Sequence, residues 1–179
     1  MGPLPHNSAG RAIDIAGGDG RLSTGLLLKK YGTVDLIDIC PLGVQRAKNA
    51  MSGHPACGQI QQVDMMDYLW YYFYSAIFLV WCVGYLDRPE LVVFLKKAQS
   101  RLIQGGRRLS RNSKPESFII VLDNVLDEGD DGIRVKGQLP RTQKQLESIF
   151  AEAGLLILEC SGRKTMPEPN RDIMIWALY

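Results

Sequence analysis

The chain has 179 residues, 46% hydrophobic and 22% charged, which suits one α/β domain with a sizeable core. Lys and Arg number 21 against 19 for Asp and Glu, and a net charge of +2 leaves no footprint for a nucleic-acid partner. The four cysteines (Cys40, Cys57, Cys82, Cys160) lack Cys-x-x-Cys spacing, and neither His6 nor His54 has a cysteine pair with it. That argues against a disulfide frame or metal site and for a reducing compartment, cytoplasm or nucleus.

Residues 1–10 are punctuated by Pro and Gly and are expected to be irregular, with no secretory signal. A first strand is expected over 12–15. A helix over 21–31 follows, with leucines at 22, 26, 27 and 28 facing a sheet and Gly32 as its stop. A second strand covers 34–39. Pro41 suits the first turn of a helix over 42–51, which Gly53-His54-Pro55 breaks. A short strand over 60–63 leads into the loop 64–68. The apolar-aromatic stretch 68–86 is interrupted by Ser75 and Gly84 and reads as loop plus strand, not as a membrane span. Within it, 76–81 is a continuous apolar run, as in a central parallel strand covered on both faces.

Pro89-Glu90 opens a helix to Ile103, apolar at 91, 92, 94, 95 and 98, with Gly105-Gly106 beyond it. The segment 107–116 reads as a basic surface loop, 118–122 as a strand, and 124–140 as an acidic then basic connection. Thr142 with Gln145 forms a capping box for a helix through Ala153, stopped by Gly154. Strands over 155–160 and 173–178 close the chain, their hairpin making one antiparallel. The pattern predicts a doubly wound, Rossmann-like, mostly parallel sheet with the last strand antiparallel. One domain and a monomer are expected.

Ligands of such a sheet sit at the carboxyl ends of its strands, where Asp14, Asp38, Asp64, Trp81 and Asp123 fall. Each acid alone is also an ordinary turn or capping residue. Four acids and a tryptophan at one rim together favour a cationic ligand. The turn Ala16-Gly17-Gly18-Asp19-Gly20-Arg21 points the same way, because Gly18 and Gly20 allow torsions and ligand approach that a Cβ would block. It has no Gly-Lys-Ser/Thr of a P-loop, and Ser23 stands where a dinucleotide fingerprint needs Gly or Ala. S-adenosylmethionine (AdoMet) is the third reading. Asp14 can serve its tail ammonium, Arg21 its carboxylate and Asp38 its ribose diol. A plain strand-to-helix turn is the bland alternative.

The sequence resembles the class I AdoMet methyltransferases, and more narrowly the eukaryotic protein N-terminal (α-N) methyltransferases. The likeness rests on Asp14-x-Ala16-x-Gly18-x-Gly20-Arg21, on 34–39, on Ile77 to Leu86 with its Trp81-x-x-Gly84, on Phe94-Leu95-Lys96-Lys97, on 120–124, and on the acidic run from Asn124 through Glu128-Gly129-Asp130-Asp131. It implies a seven-stranded sheet with AdoMet as cofactor. It also implies that Ala16 and Arg21 line the methionine moiety, Asp38, Ile39 and Cys40 the ribose side, Met65 and Met66 the adenine, and that Val80 closes the site. Core filling is an equal alternative for the two methionines. The implied partner is a protein with a free N-terminus reading Xaa-Pro-Lys or Xaa-Pro-Arg. Trp81 would pack on the proline, Asn124 would hold backbone, and Asp130 and Asp131 would meet the basic residue.

Several positions depart from that family. Ala16 replaces its first glycine, Val80 a glutamine and Tyr85 a histidine, and no acid lies at 133–136 where a catalytic aspartate belongs. The basic stretch 107–114 has no counterpart, and only eleven residues stand where a helical segment precedes the first strand. Asp123 is the expected proton acceptor, with Tyr85 orienting the amine. A catalytically weak partner that keeps the fold, or a small-molecule methyltransferase, is the alternative.

Overall fold

A computed structural model describes residues 7–103, 117–128, 137–163 and 172–179. The expected loop 107–116, the Gly105-Gly106 stop, Asp130, Asp131 and the stretch 133–136 lie outside them. Strands alternate with helices in a mostly parallel sheet whose last strands are antiparallel, the expected class. The chain falls into two compact units.

The first unit comprises Gly2–Phe78 and Arg101–Phe118. Its elements are β1 (Asn7–Ile15), α1 (Arg21–Gly25), β2 (Tyr31–Asp38), α2 (Pro41–Met51), β3 (Cys57–Gln62) and the start of β4 (Ala76–Val80), in sheet order β3-β2-β1-β4. β1 and β2 run parallel, with Ala12 opposite Val34 and Ile15 opposite Ile37. Ala12, Ile13, Ile15, Leu36 and Ile37 are buried, so these strands are covered on both faces. Pro41 starts α2 as expected.

Several boundaries differ from the sequence reading, β2 and β3 each beginning three residues early, at Tyr31 and Cys57. β1 begins at Asn7 rather than 12, its register shifting between Asn7 and Arg11, so the Gly-containing lead bends yet still pairs. The helix expected over 21–31 stops at Gly25, because Leu26 leaves the helical region (φ −131, ψ −55). A 3₁₀ turn over Leu27–Lys29 then buries Leu27 and Leu28, and Gly32 lies inside β2 instead of ending a helix. Residues 101–103 are not helical. Tyr74 N–H donates to Arg101 O at 2.8 Å and Ile103 N–H to Tyr74 O at 2.9 Å, a strand-like pairing that removes them from the preceding helix.

The second unit comprises Leu79–Ser100 and Ile119–Tyr179. It holds the end of β4, α3 (Arg88–Gln99), β5 (Phe118–Leu126), β6 (Arg141–Thr142), α4 (Gln143–Glu152), β7 (Ile157–Arg163) and β8 (Asp172–Leu178), in order β4-β5-β8-β7 with β6 on β5. β8 is antiparallel to β5 and β7, as predicted for the last strand. β5 runs four residues beyond its expected end, its extra length paired with β8 as far as Val125 opposite Asp172. β6 is a two-residue strand just past the expected connection, at the residues that lead into α4.

Both α3 and α4 start on reciprocal capping boxes, Asp87 with Glu90 and Thr142 with Gln145. Phe150 and Trp176 meet edge to face at 5.5 Å in the core of this unit. Among the described residues, no helix is long and apolar enough to cross a membrane, and no group of three or more His, Cys, Asp or Glu side chains could hold a metal ion.

Candidate functional site

β1 ends at Ile15, and the next five residues form a turn with three left-handed positions: Ala16 (φ 54), Gly18 (φ 55) and Gly20 (φ 79). Gly17 N–H donates to Ile37 O at 3.1 Å and Gly20 N–H to Gly17 O at 3.0 Å, which fixes the turn to β2 and to itself. A side chain at 17 would force its neighbours to shift, since a Cβ would lie 2.7 Å from Leu36 Cδ1 and 2.8 Å from Asp14 Cγ. At Gly18 the same construction meets nothing within 4 Å, so this backbone borders open space.

Asp38, the last residue of β2, secures the open side. Its Oδ2 accepts the Gly18 N–H at 2.8 Å and its Oδ1 the Cys40 N–H at 2.7 Å. Each carboxylate oxygen still has a lone pair for a further donor. Asp14 is sealed beneath the turn at 1% exposure and accepts the Ser23 hydroxyl at 2.8 Å. Burial pushes its pKa up to about 6, the Ser23 hydrogen bond opposes the rise, and the nearby Asp38 charge adds to it. The geometry gives Asp14 the task of shaping the turn, more than that of touching a ligand. Arg21 points outward, 90% exposed, and holds Asp19 at 3.0 Å. Ile39 and Cys40 are exposed beside Asp38, while Met65 and Met66 are half-buried in the loop after β3. Of the predicted cofactor residues, hydrogen bonds bring Gly18, Asp38 and Cys40 together. An open backbone beside a carboxylate with spare acceptor capacity fits a ligand offering hydroxyl donors and positive charge, as AdoMet does.

The other predicted residues belong to the second unit. Val80 is the half-buried end of β4. Trp81 follows in a left-handed conformation (φ 53), 50% exposed, its N–H donating to Leu122 O at 2.8 Å. A bulky residue rarely adopts that conformation, and such outliers gather at functional sites. A 3₁₀ turn over Val83–Tyr85 presents Tyr85, 54% exposed.

Asp123 of β5 is 8% exposed. Its Oδ1 accepts the Asn124 N–H at 2.8 Å, whereas its buried Oδ2 has no hydrogen-bond partner among the described residues. Burial pushes the carboxyl pKa up to about 6. The amides of Asn124, Val83 and Gly84 and the charge of Arg141 oppose the rise, the latter two amides without closing a well-aligned bond to Oδ2. Val83, Gly84, Asp123, Asn124, Gln138 and Arg141 line a shared cleft.

Two residues of these sites carried no functional signal in the sequence reading. Ser23 counted only as a missing glycine, although the first turn of a helix is where a hydroxyl reaches back to a strand-end acid. Arg141, between the expected connection and the capping box at Thr142, drew no reading, yet it is buried and donates to Val83 O at 3.0 Å and Leu86 O at 2.6 Å.

This fold, with a glycine turn and an acid closing the next strand, defines an AdoMet-dependent methyltransferase. The chain belongs to the AdoMet dependent proline di-methyltransferase family, whose profile matches residues 4–179. It is 29% identical over 176 residues to N-terminal Xaa-Pro-Lys N-methyltransferase 1 of Danio rerio, covering 94% of this chain and 72% of that protein. N-terminal Xaa-Pro-Lys N-methyltransferase 1-B of Xenopus laevis is 23% identical over 173 residues, 93% of this chain and 71% of that one. A solved SAM-dependent methyltransferase from Leishmania major superposes with a TM-score of 0.79 at 25% identity, covering 98% of this chain and 67% of that one.

Proposed function

We propose that this enzyme methylates the α-amino group of protein N-termini reading Xaa-Pro-Lys or Xaa-Pro-Arg. The observation that carries the reading is Asp123, a buried carboxylate with one oxygen unpartnered among the described residues, in a cleft it shares with Asn124. A buried acceptor without a donor is costly, and an amine N–H is the donor that would relieve it. The names of relatives at 23–29% identity support the same acceptor.

In this reading Gly18 gives the ligand close main-chain approach and Asp38 takes its ribose hydroxyls, while Gly20 packs against α2, where a Cβ would lie 3.3 Å from Ala47 Cβ. Ala16 and Arg21 serve its amino-acid end, and Ile39, Cys40, Met65 and Met66 its nucleoside. Bound there, AdoMet supplies a methyl carbon made electrophilic by its sulfonium. Trp81 packs on the substrate proline, Asn124 holds the backbone beside it, and Asp130 with Asp131 receives the basic third residue. An α-amine has a pKa of roughly 7.7–8.0, so only a minority is neutral at pH 7. Asp123, ionised above about pH 6, accepts an amine proton while Tyr85 orients the nitrogen. Holding the amine in line supplies much of the rate.

The test is transfer of radiolabelled methyl to a peptide panel with free and acetylated amines. Label on free Xaa-Pro-Lys peptides and none on acetylated ones is the expected result. Equal labelling of both would remove the α-amine as acceptor.

A further inference from the structure

We infer that Arg141 is a positioning residue, whose buried guanidinium clamps the 3₁₀ turn that follows Trp81 and carries Tyr85. The inference deepens the proposed function, since it rests on those two side chains meeting the acceptor peptide. Between Trp81 and Leu86, four backbone carbonyls accept from the segment 138–141. Gln138 Nε2 donates to Trp81 O at 3.4 Å and Leu139 N–H to Gly84 O at 2.6 Å. Arg141 Nη1 donates to Val83 O at 3.0 Å and Nη2 to Leu86 O at 2.6 Å. One planar fork thus spans the 3₁₀ turn and fixes both of its ends.

The turn needs such restraint. Trp81 sits at φ 53, a strained conformation that persists only when its surroundings over-determine it. Tyr85 is held locally by a bond from its N–H to Cys82 O at 3.1 Å. The left-handed residue before the turn and the tyrosine that ends it would otherwise choose their own orientation. A lysine cannot replace the clamp, because one ammonium on a flexible stem does not reach two carbonyls in fixed directions. Burial disfavours the charged guanidinium, and the carboxylates of Asp123 and Asp87 compensate in part. A cation kept buried on carbonyls that a neighbouring turn must present fixes that turn's shape.

The experiment compares wild type, Arg141→Lys and Arg141→Ala. AdoMet affinity is read by calorimetry, and kcat and KM are read on an Xaa-Pro-Lys peptide. Amide hydrogen exchange is followed at 81–86. Arg141→Lys is expected to bind AdoMet as wild type does and to lose about 10²-fold in peptide kcat/KM, the scale of an ångström-level misplacement. The Tyr85 amide should exchange faster, and added guanidinium should restore part of the activity of Arg141→Ala. Unchanged kcat/KM in both variants overturns the clamp, and so does an equal loss of AdoMet affinity and turnover, which marks a merely structural residue. If wild type labels no Xaa-Pro-Lys peptide, the acceptor reading fails and exchange decides the clamp. Faster exchange at Tyr85 with the glycine turn unchanged then supports it, and unchanged exchange overturns it.

Discussion

Asp38 accepts the Gly18 N–H at 2.8 Å, so the acid that ends β2 also sets the shape of the glycine turn. The same carboxylate accepts the Cys40 N–H at 2.7 Å and leads into α2. Asp38→Asn keeps the size but replaces one acceptor by a donor, which must face an N–H it can only repel. A charged hydrogen bond contributes about 1.5–3 kcal/mol, so AdoMet affinity should fall about 10- to 100-fold. Calorimetric titration at matched thermal stability reads this directly. An unaltered Kd would take the ribose away from Asp38.

Ala16 and Gly17 make opposite predictions from adjacent positions. Ala16 holds φ 54, where an L-residue is strained by about 1–2 kcal/mol relative to glycine. Glycine loses roughly 0.5–1 kcal/mol more entropy on folding, so Ala16→Gly should stabilise by about 0.5–1 kcal/mol. For a chain of this size that is a Tm rise of about 1–4 °C. Gly17→Ala should destabilise by about 1–3 kcal/mol, because its methyl would lie 2.8 Å from Asp14 Cγ and 2.7 Å from Leu36 Cδ1. Thermal melts of both variants check the pair, and a lower Tm for Ala16→Gly would contradict the strain argument.

Patterns set by neighbouring residues could be read from the sequence. The capping boxes at Asp87 and Thr142 depend on residues three apart, and only the box at Thr142 was read, the α3 start resting on Pro89-Glu90 instead. Pro41 at the head of α2 and the apolar runs of β1, β2 and β4 are equally local. Features set by distant partners were hidden. α1 stops at Gly25 and a 3₁₀ turn buries Leu27 and Leu28, while residues 101–103 leave the helix to pair with Tyr74. In the site, the glycines and Asp38 follow a spacing rule. The bond from Ser23 to Asp14 spans nine residues, and those from Arg141 to Val83 and Leu86 span 58 and 55, distances over which no periodicity reports.

In the proposed reading, Asp123 couples turnover and stability to the same titration. Its carboxyl pKa is about 6 in the fold against 3.8 for the unconstrained group, so between those values the folded state binds the extra proton. Stability from this group is fully present below pH 3.8 and is lost as pH rises through about 6. At neutral pH the buried charge costs roughly 3 kcal/mol at most. Asp123→Asn should therefore raise the urea midpoint at pH 7.5 and change it little below pH 4, while lowering peptide turnover without weakening AdoMet binding. The acid limb of the wild-type kcat profile, near pH 6, should vanish in the variant. Undiminished turnover would remove Asp123 from proton transfer.

Arg11 and Asp35 lock β1 to β2 upstream of the glycine turn. Asp35 is 1% exposed and accepts Arg11 Nη1 at 2.9 and 3.1 Å, the Gln59 N–H at 2.7 Å and the Tyr74 hydroxyl at 3.2 Å. The Arg11 guanidinium lies 3.7 Å from the Tyr72 ring centroid, which shields the pair from water. Burial raises the Asp35 pKa, and the Gln59 amide, Arg11 and Tyr74 oppose it. Arg11→Met strands a buried carboxylate on two neutral donors and should cost about 3 kcal/mol at pH 7.5. Without the cation the folded pKa rises further, so stability contributed by the protonated form is lost over a wider span as pH climbs. The deficit should shrink as pH falls and the carboxyl takes a proton. Adding Asp35→Asn should recover most of it, since an amide can be buried without a counter-charge. Urea unfolding of the single and double variants at pH 7.5 and 5 decides the matter. A single variant as stable as wild type at both pH values would make the pair a bystander, and the β1–β2 alignment would then rest on apolar packing alone.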